Sequence, residues 1–180
     1  MGEGLERAGR YFLLVMAVSF LGWAAETAFF FLCYGEVWDR GFMTMPFCTI
    51  YGVSFLLLHL LLGQPGQGKG GAAVWFLLSA LVPTGLELVT GVFFHRLFGL
   101  RLWSYVGYRF HFRGYICLEY ALLWGLLLPV CMKYIFVPVK RWVFALPWSR
   151  AARAAGVLAL LAAADWAVNF SRQQLLLPWG

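Results

Sequence analysis

Four acidic residues, Glu26, Glu87, Glu119 and Asp165, interrupt stretches that are otherwise apolar enough to cross a membrane. A charge at the centre of an inserting helix costs roughly 2.5–3.5 kcal/mol, so it faces a partner or a cavity and marks ion or solute chemistry by default. Arg40, Arg101, Arg109 and Arg113 flank the same stretches, and a planar guanidinium pairs with carboxylate or phosphate through two parallel bonds. Tyr51 and Tyr105 add hydroxyls near them. The chemistry these types suggest is binding by paired charges. No GxSxG, HExxH or Cys–His pattern supports a hydrolase, and no catalytic residue is assigned. The three histidines follow no zinc spacing, so neither a metal nor a cofactor is expected.

The elements that would position these residues are membrane helices. Of 180 residues, 62% are apolar and 12% charged, against about 25% charged in soluble domains. The mean hydropathy is +0.76. A net charge of +6 would suit nucleic acid in a soluble protein, but the basic residues sit between apolar runs, where topology and lipid head groups explain them. The expected architecture is all-α: one polytopic membrane domain over 1–180, with helices at about 11–34, 48–62, 72–98, 114–137 and 154–170. The first run is too long for a signal-peptide core and is expected to stay as a span. Residues 48–62 are short for a span, so that helix either borrows from the connector before it or is only partly inserted. The segment 99–113 alternates aromatic and basic residues and reads as interfacial or re-entrant, which leaves six spans as an alternative. Pro138 to Arg153 reads as a basic connector, and Ala155, Ala159 and Ala163 as a small-residue contact stripe. The four cysteines, with no CxxC among them, read as packing residues.

Depth follows from the helical rise. Glu26 and Glu87 each lie roughly 22 Å from the inner ends of their helices, and Glu119 lies within about 8 Å of the outer end of its own. The outer connectors carry Arg40, Arg109 and Arg113, so a carboxylate–arginine pocket is expected in the outer half of the membrane. Its candidate ligand-binding residues are Glu26, Arg40, Tyr51, Glu87, Tyr105, Arg109, Arg113 and Glu119. Asp165 reads as structural. A slight excess of Lys and Arg on the N-terminal side places the N-terminus in the cytoplasm of a multi-pass cell-membrane protein.

The run Phe20-Leu-Gly-Trp-Ala-Ala-Glu26, then Arg40-Gly-Phe, Pro46 and Ile50-Tyr-Gly52, resembles the CmpB-like family of ABC-transporter permeases (type IV). Leu86-Glu87, Leu102-Trp-Ser-Tyr105, Gly114-Tyr-Ile116 and Leu123-Trp-Gly125 continue the resemblance over about residues 12 to 138. It implies a bacterial multi-span membrane protein, with Glu26, Arg40, Tyr51, Glu87, Trp103 and Tyr105 at the family's polar and aromatic positions. Ser104, His111 and Tyr115 stand where the family has Asp, Asn and Arg. Either Arg113 replaces the absent guanidinium or the pocket has changed its ligand.

No P-loop lysine motif is present, so an ABC role needs a separate ATPase subunit or another membrane protein as partner, besides the lipid bilayer itself. The leading expectation is a permease-like component binding a small polar or anionic solute, with Pro83 as the point of helix rearrangement. The alternatives are a membrane enzyme or accessory protein acting on lipid head groups, with Glu26 or Glu87 as base, and a structural subunit of a membrane complex. No nucleic acid is expected.

Overall fold

The computed structural model describes residues 2–35, 42–66 and 70–176, with side chains described as far as 172. Five helices carry the fold: α1 (Gly2–Tyr34), α2 (Thr49–Leu62), α3 (Ala72–Phe98), α4 (Leu118–Ala145) and α5 (Trp148–Leu176). A two-stranded antiparallel hairpin, β1 (His111–Phe112) and β2 (Ile116–Cys117), precedes α4. All but α2 have the length and apolar composition to cross a bilayer. The expected helical membrane bundle is therefore what forms.

The second helix is the informative one. At 14 residues it is about 21 Å long, short of a hydrocarbon core of about 30 Å. It borrows nothing from the connector, whose residues 42–48 are irregular. The Cys48 N–H instead donates to the Ser19 carbonyl at 3.2 Å, and Ser19 lies roughly 22 Å below Tyr34 along α1. The chain must therefore come back down beside α1 before α2 can start. Side chains mark the descent: Phe42 packs on Phe94 (4.9 Å between ring centroids) and Trp166 (5.0 Å), and Phe47 packs on Phe20 (6.1 Å). Close approach of α1 and α2 needs a glycine, because a Cβ on Gly52 would stand 2.2 Å from the Val15 carbonyl oxygen and 2.4 Å from Ser19 Oγ.

The segment after α3 also re-enters. Gly99, in the left-handed region at φ 67°, ends α3, and the chain turns back along it. The Trp103 indole N–H donates to the Tyr115 carbonyl (2.8 Å) and the Tyr105 N–H to the Gly114 carbonyl (2.9 Å). The Tyr115 ring and Trp103 lie against Gly91, where a Cβ would be 3.0 and 3.4 Å from them. Hairpin pairing occupies 111–117, which is why α4 starts at Leu118 rather than near Gly114.

The first half of α4 lies on α3 and its last turns lie on α1. It bends from one to the other through Pro129 and a π-turn at Met132–Phe136. A π-turn widens the backbone ladder, and this lets Pro138, which has no N–H, sit in a continuous helix. The expected basic connector at 138–153 is for that reason helical except at Leu146 and Pro147. Arg10, 9% exposed, closes that turn: its Nη1 donates to the carbonyls of Val143 (3.1 Å), Phe144 (3.0 Å) and Leu146 (3.0 Å), and its Nη2 pairs with Glu6 (2.8 Å). Leu14 and Leu58 with Met132 and Phe136 form the fully buried centre, drawn from α1, α2 and α4.

The last helix attaches by Ala151, Ala155 and Leu158, packed against Leu13 and Val143. Ala159 and Ala163 are exposed, so of the alanine stripe expected from sequence only Ala155 makes the contact. A seven-residue period selects the packed face instead of a four-residue one.

Gly52→Ala is expected to lower stability by about 1–3 kcal/mol through overpacking, while Gly156→Ala, which meets open space, stays within about 0.5 kcal/mol. Thermal melts of the purified protein in nanodiscs measure both, and equal melting temperatures would refute the tight α1–α2 contact.

Candidate functional site

Both re-entrant segments bring a tyrosine to a glutamate. Tyr51, in the first turn of α2, donates its hydroxyl to Glu26 Oε2 on α1 at 3.0 Å. Gly22, one turn before Glu26, leaves room for the Tyr51 ring, since a Cβ there would stand 2.5 Å from it. Tyr105, from the segment after α3, donates to Glu87 Oε1 at 3.3 Å. Glu87 is 8% exposed.

Aromatic rings join the two pairs. Trp124 on α4 meets Tyr51 edge to face at 5.7 Å. Its buried indole N–H lies beside the Glu87 carboxylate without completing a hydrogen bond. Tyr120, one turn earlier on the same helix, packs against Trp124 (6.5 Å) and Tyr105 (5.2 Å), and its hydroxyl accepts from Tyr108 at 3.2 Å. Four helices and one re-entrant loop thus converge on two carboxylates walled by Tyr51, Tyr105, Tyr120 and Trp124. Those four rings are each partly exposed, so the wall can be reached from outside.

The remaining candidates lie elsewhere. Among the described residues, no Lys or Arg stands within ion-pair distance of Glu87. Arg109 lies over Phe110 (5.5 Å) and Arg113 over Phe112 (5.8 Å), both exposed. Glu119 is exposed and accepts the Phe110 N–H at 3.4 Å, which ties the hairpin to α4. Arg40 falls outside the described residues. Asp165 Oδ2 accepts the N–H groups of Thr44 (3.0 Å) and Met45 (3.5 Å), and the Asn169 amide donates to Thr44 Oγ1 (3.1 Å), so the last helix holds the connector that leads into α2. Among the described residues no three His, Cys, Asp or Glu side chains group as metal ligands. Tyr120 was not singled out from sequence, although its i,i+4 spacing to Trp124 places both on one helix face.

These features define a multi-pass helical membrane protein with its polar residues gathered at two re-entrant segments. The family described as Putative ABC-transporter type IV matches residues 13–170, and the chain belongs to that family. No curated protein and no solved structure matches it.

Tyr51→Phe and Tyr105→Phe each remove a hydrogen bond to a carboxylate, and each is expected to cost about 1.5–3 kcal/mol of stability. Glu119→Gln, at an exposed bond, is expected to cost under about 1 kcal/mol. Melting in nanodiscs ranks the three, and a Glu119 variant as damaging as the tyrosine variants would break this picture of the site.

Proposed function

We propose that this protein is the membrane component of a transport system and binds a small polar solute between Glu26–Tyr51 and Glu87–Tyr105. The observation that carries the reading is the pairing itself. Irregular backbone at membrane depth is tolerated where it is buried in protein or lines a cavity, and interrupted helices in transporters commonly meet the substrate. Here the start of α2 and the loop before α4 both end at a carboxylate. The lining is rich in acceptors and ring faces, and Arg109 and Arg113 point their charge at neighbouring rings. Among the described residues that lining suits a polar solute carrying N–H donors, since ionised carboxylates accept hydrogen bonds and ring faces carry negative potential.

Energy from ATP would have to come from a separate subunit. With the N-terminus in the cytoplasm, the end carrying Arg7, Lys140, Arg141 and Arg150 is the docking face, continuous with the turn that Arg10 holds. Pro83, one turn before Glu87, and the π-turn in α4 are the two points where helices can adjust without losing a regular backbone bond.

The test is native mass spectrometry of the protein purified without added solute, wild type beside Glu87→Gln. A small basic or polar metabolite retained by wild type and lost in Glu87→Gln, with melting unchanged within about 1 kcal/mol, is the expected result. No retained metabolite, together with a large loss of stability in Glu87→Gln, would instead make the carboxylates a structural network.

A further inference from the structure

The hairpin between α3 and α4 carries a second arrangement, separate from the glutamates. Residues 109–113 read Arg-Phe-His-Phe-Arg, with only His111 and Phe112 in the ladder. Arg109 lies over the Phe110 ring and Arg113 over the Phe112 ring, so each exposed phenylalanine carries a guanidinium beside it. Phe110 and Phe112 are 58% and 54% exposed, and Val106 on the neighbouring turn is 58% exposed. So large an apolar display beside so much charge suits the boundary between acyl chains and head groups.

The tip of the hairpin gathers positive charge. Tyr115 N–H donates to the Phe112 carbonyl at 3.0 Å across a turn whose two central residues, Arg113 and Gly114, both have positive φ, 51° and 75°. For arginine this is a sparsely populated backbone region. It is held here by the ladder on either side and by the Gly114 N–H donating to His111 Nδ1 at 3.1 Å. Arg101 comes to the same turn from the irregular stretch that follows α3. Its Nη1 lies 3.1 Å from the place a Cβ on Gly114 would occupy, and its guanidinium lies over the Tyr115 ring at 5.6 Å. Among the described residues none of Arg101, Arg109 and Arg113 forms an ion pair with a carboxylate. Their contacts are ring faces, which orient a guanidinium and leave its N–H edge available.

Arg101 and Arg113 meet at one tight turn with no carboxylate paired to either among the described residues, and an anion there would balance their charge. We propose that this turn binds the phosphate of an anionic phospholipid head group, with Arg101 and Arg113 as the primary donors, Arg109 beside them, and Phe110, Phe112 and Val106 in the acyl region below. Paired N–H donors on planar guanidiniums match phosphate oxygens. The exposed phenylalanines select a lipid over a free anion, because a soluble phosphate gives them nothing to bury against. The site does not depend on what the glutamates bind.

Lipid titrations of the full-length protein by native mass spectrometry test this, with phosphatidylglycerol and phosphatidylcholine of identical acyl chains as probes. Preference for phosphatidylglycerol is expected in wild type. Each guanidinium removed near a phosphate weakens binding roughly five-fold, so Arg101→Gln with Arg113→Gln is expected to reduce the preference on the order of 25-fold. Arg153→Gln, at the opposite end of the molecule, is expected to leave it unchanged. Arg109→Gln alone, expected to give a smaller loss of the same sign, serves if the double variant melts early. Equal binding of the two lipids overturns the proposal, as does a preference that survives both sets of hairpin substitutions. Displacement of the lipid by millimolar inorganic phosphate would make the site one for a free anion, and also overturns it.

Discussion

The hydrogen bond from the Cys48 N–H to the Ser19 carbonyl fixes how deep the second helix begins, and the rest of the outer half depends on that depth. In hydrocarbon, backbone N–H and C=O groups have no water to bond. A chain that descends without helical bonds must find partners among side chains and neighbouring backbone. Ser19 and Asp165 supply them for the N–H groups of Thr44, Met45 and Cys48, and the rings of Phe94, Trp166 and Phe20 cover the descent. With its start set there, the first turn of α2 faces Glu26, and Tyr51 can reach the carboxylate without leaving its helix.

The same solution occurs a second time. An ascending helix carries a glutamate, the chain re-enters, a tyrosine bonds back to that glutamate, and a descending helix follows. In α1–α2 the returning tyrosine is Tyr51 on the helix, and in α3–α4 it is Tyr105 in the loop before it. The loops differ in kind, irregular in the first unit and hairpin-based in the second, so the likeness lies in architecture and not in sequence. Trp124 joins the two units by touching Tyr51 with its ring and facing Glu87 with its indole nitrogen. A solute held between the pairs would feel movement of either unit.

Part of this was legible in the sequence and part was not, for definite reasons. Glu26 and Glu87 stood out because a carboxylate in an apolar run is costly wherever it points, and the shortness of residues 48–62 signalled a helix that does not cross alone. The partners were harder to read. Charge attraction suggested Arg109 and Arg113 for the carboxylates, but each is adjacent in sequence to a phenylalanine, and the nearer ring takes the guanidinium. The descent of 42–48 left no periodic signal, since its satisfaction comes from Asp165, more than a hundred residues away. Pro138 suggested a break that the π-turn before it absorbs, and periodicity does not register one extra residue in a turn. Ala159 and Ala163 show that small residues permit a contact without specifying one.

The two ends of the bundle differ in how firmly they are closed. Toward the N-terminal end, Leu14, Leu58, Met132 and Phe136 are sealed from every solvent or lipid contact. Beyond them Arg10 holds three carbonyls of the α4–α5 turn, and Lys140 Nζ donates to His59 Nε2 at 2.6 Å. Around the glutamates the walls are rings that keep part of their surface exposed. Below the glutamates lies a closed floor of packed side chains, which a solute bound as proposed would meet. Passage toward the N-terminal end would require Leu58 and Phe136 to separate, and Phe136 sits on the π-turn of α4, where the backbone ladder is widened. The place where the helices depart from standard geometry is thus also the place where a path would have to open.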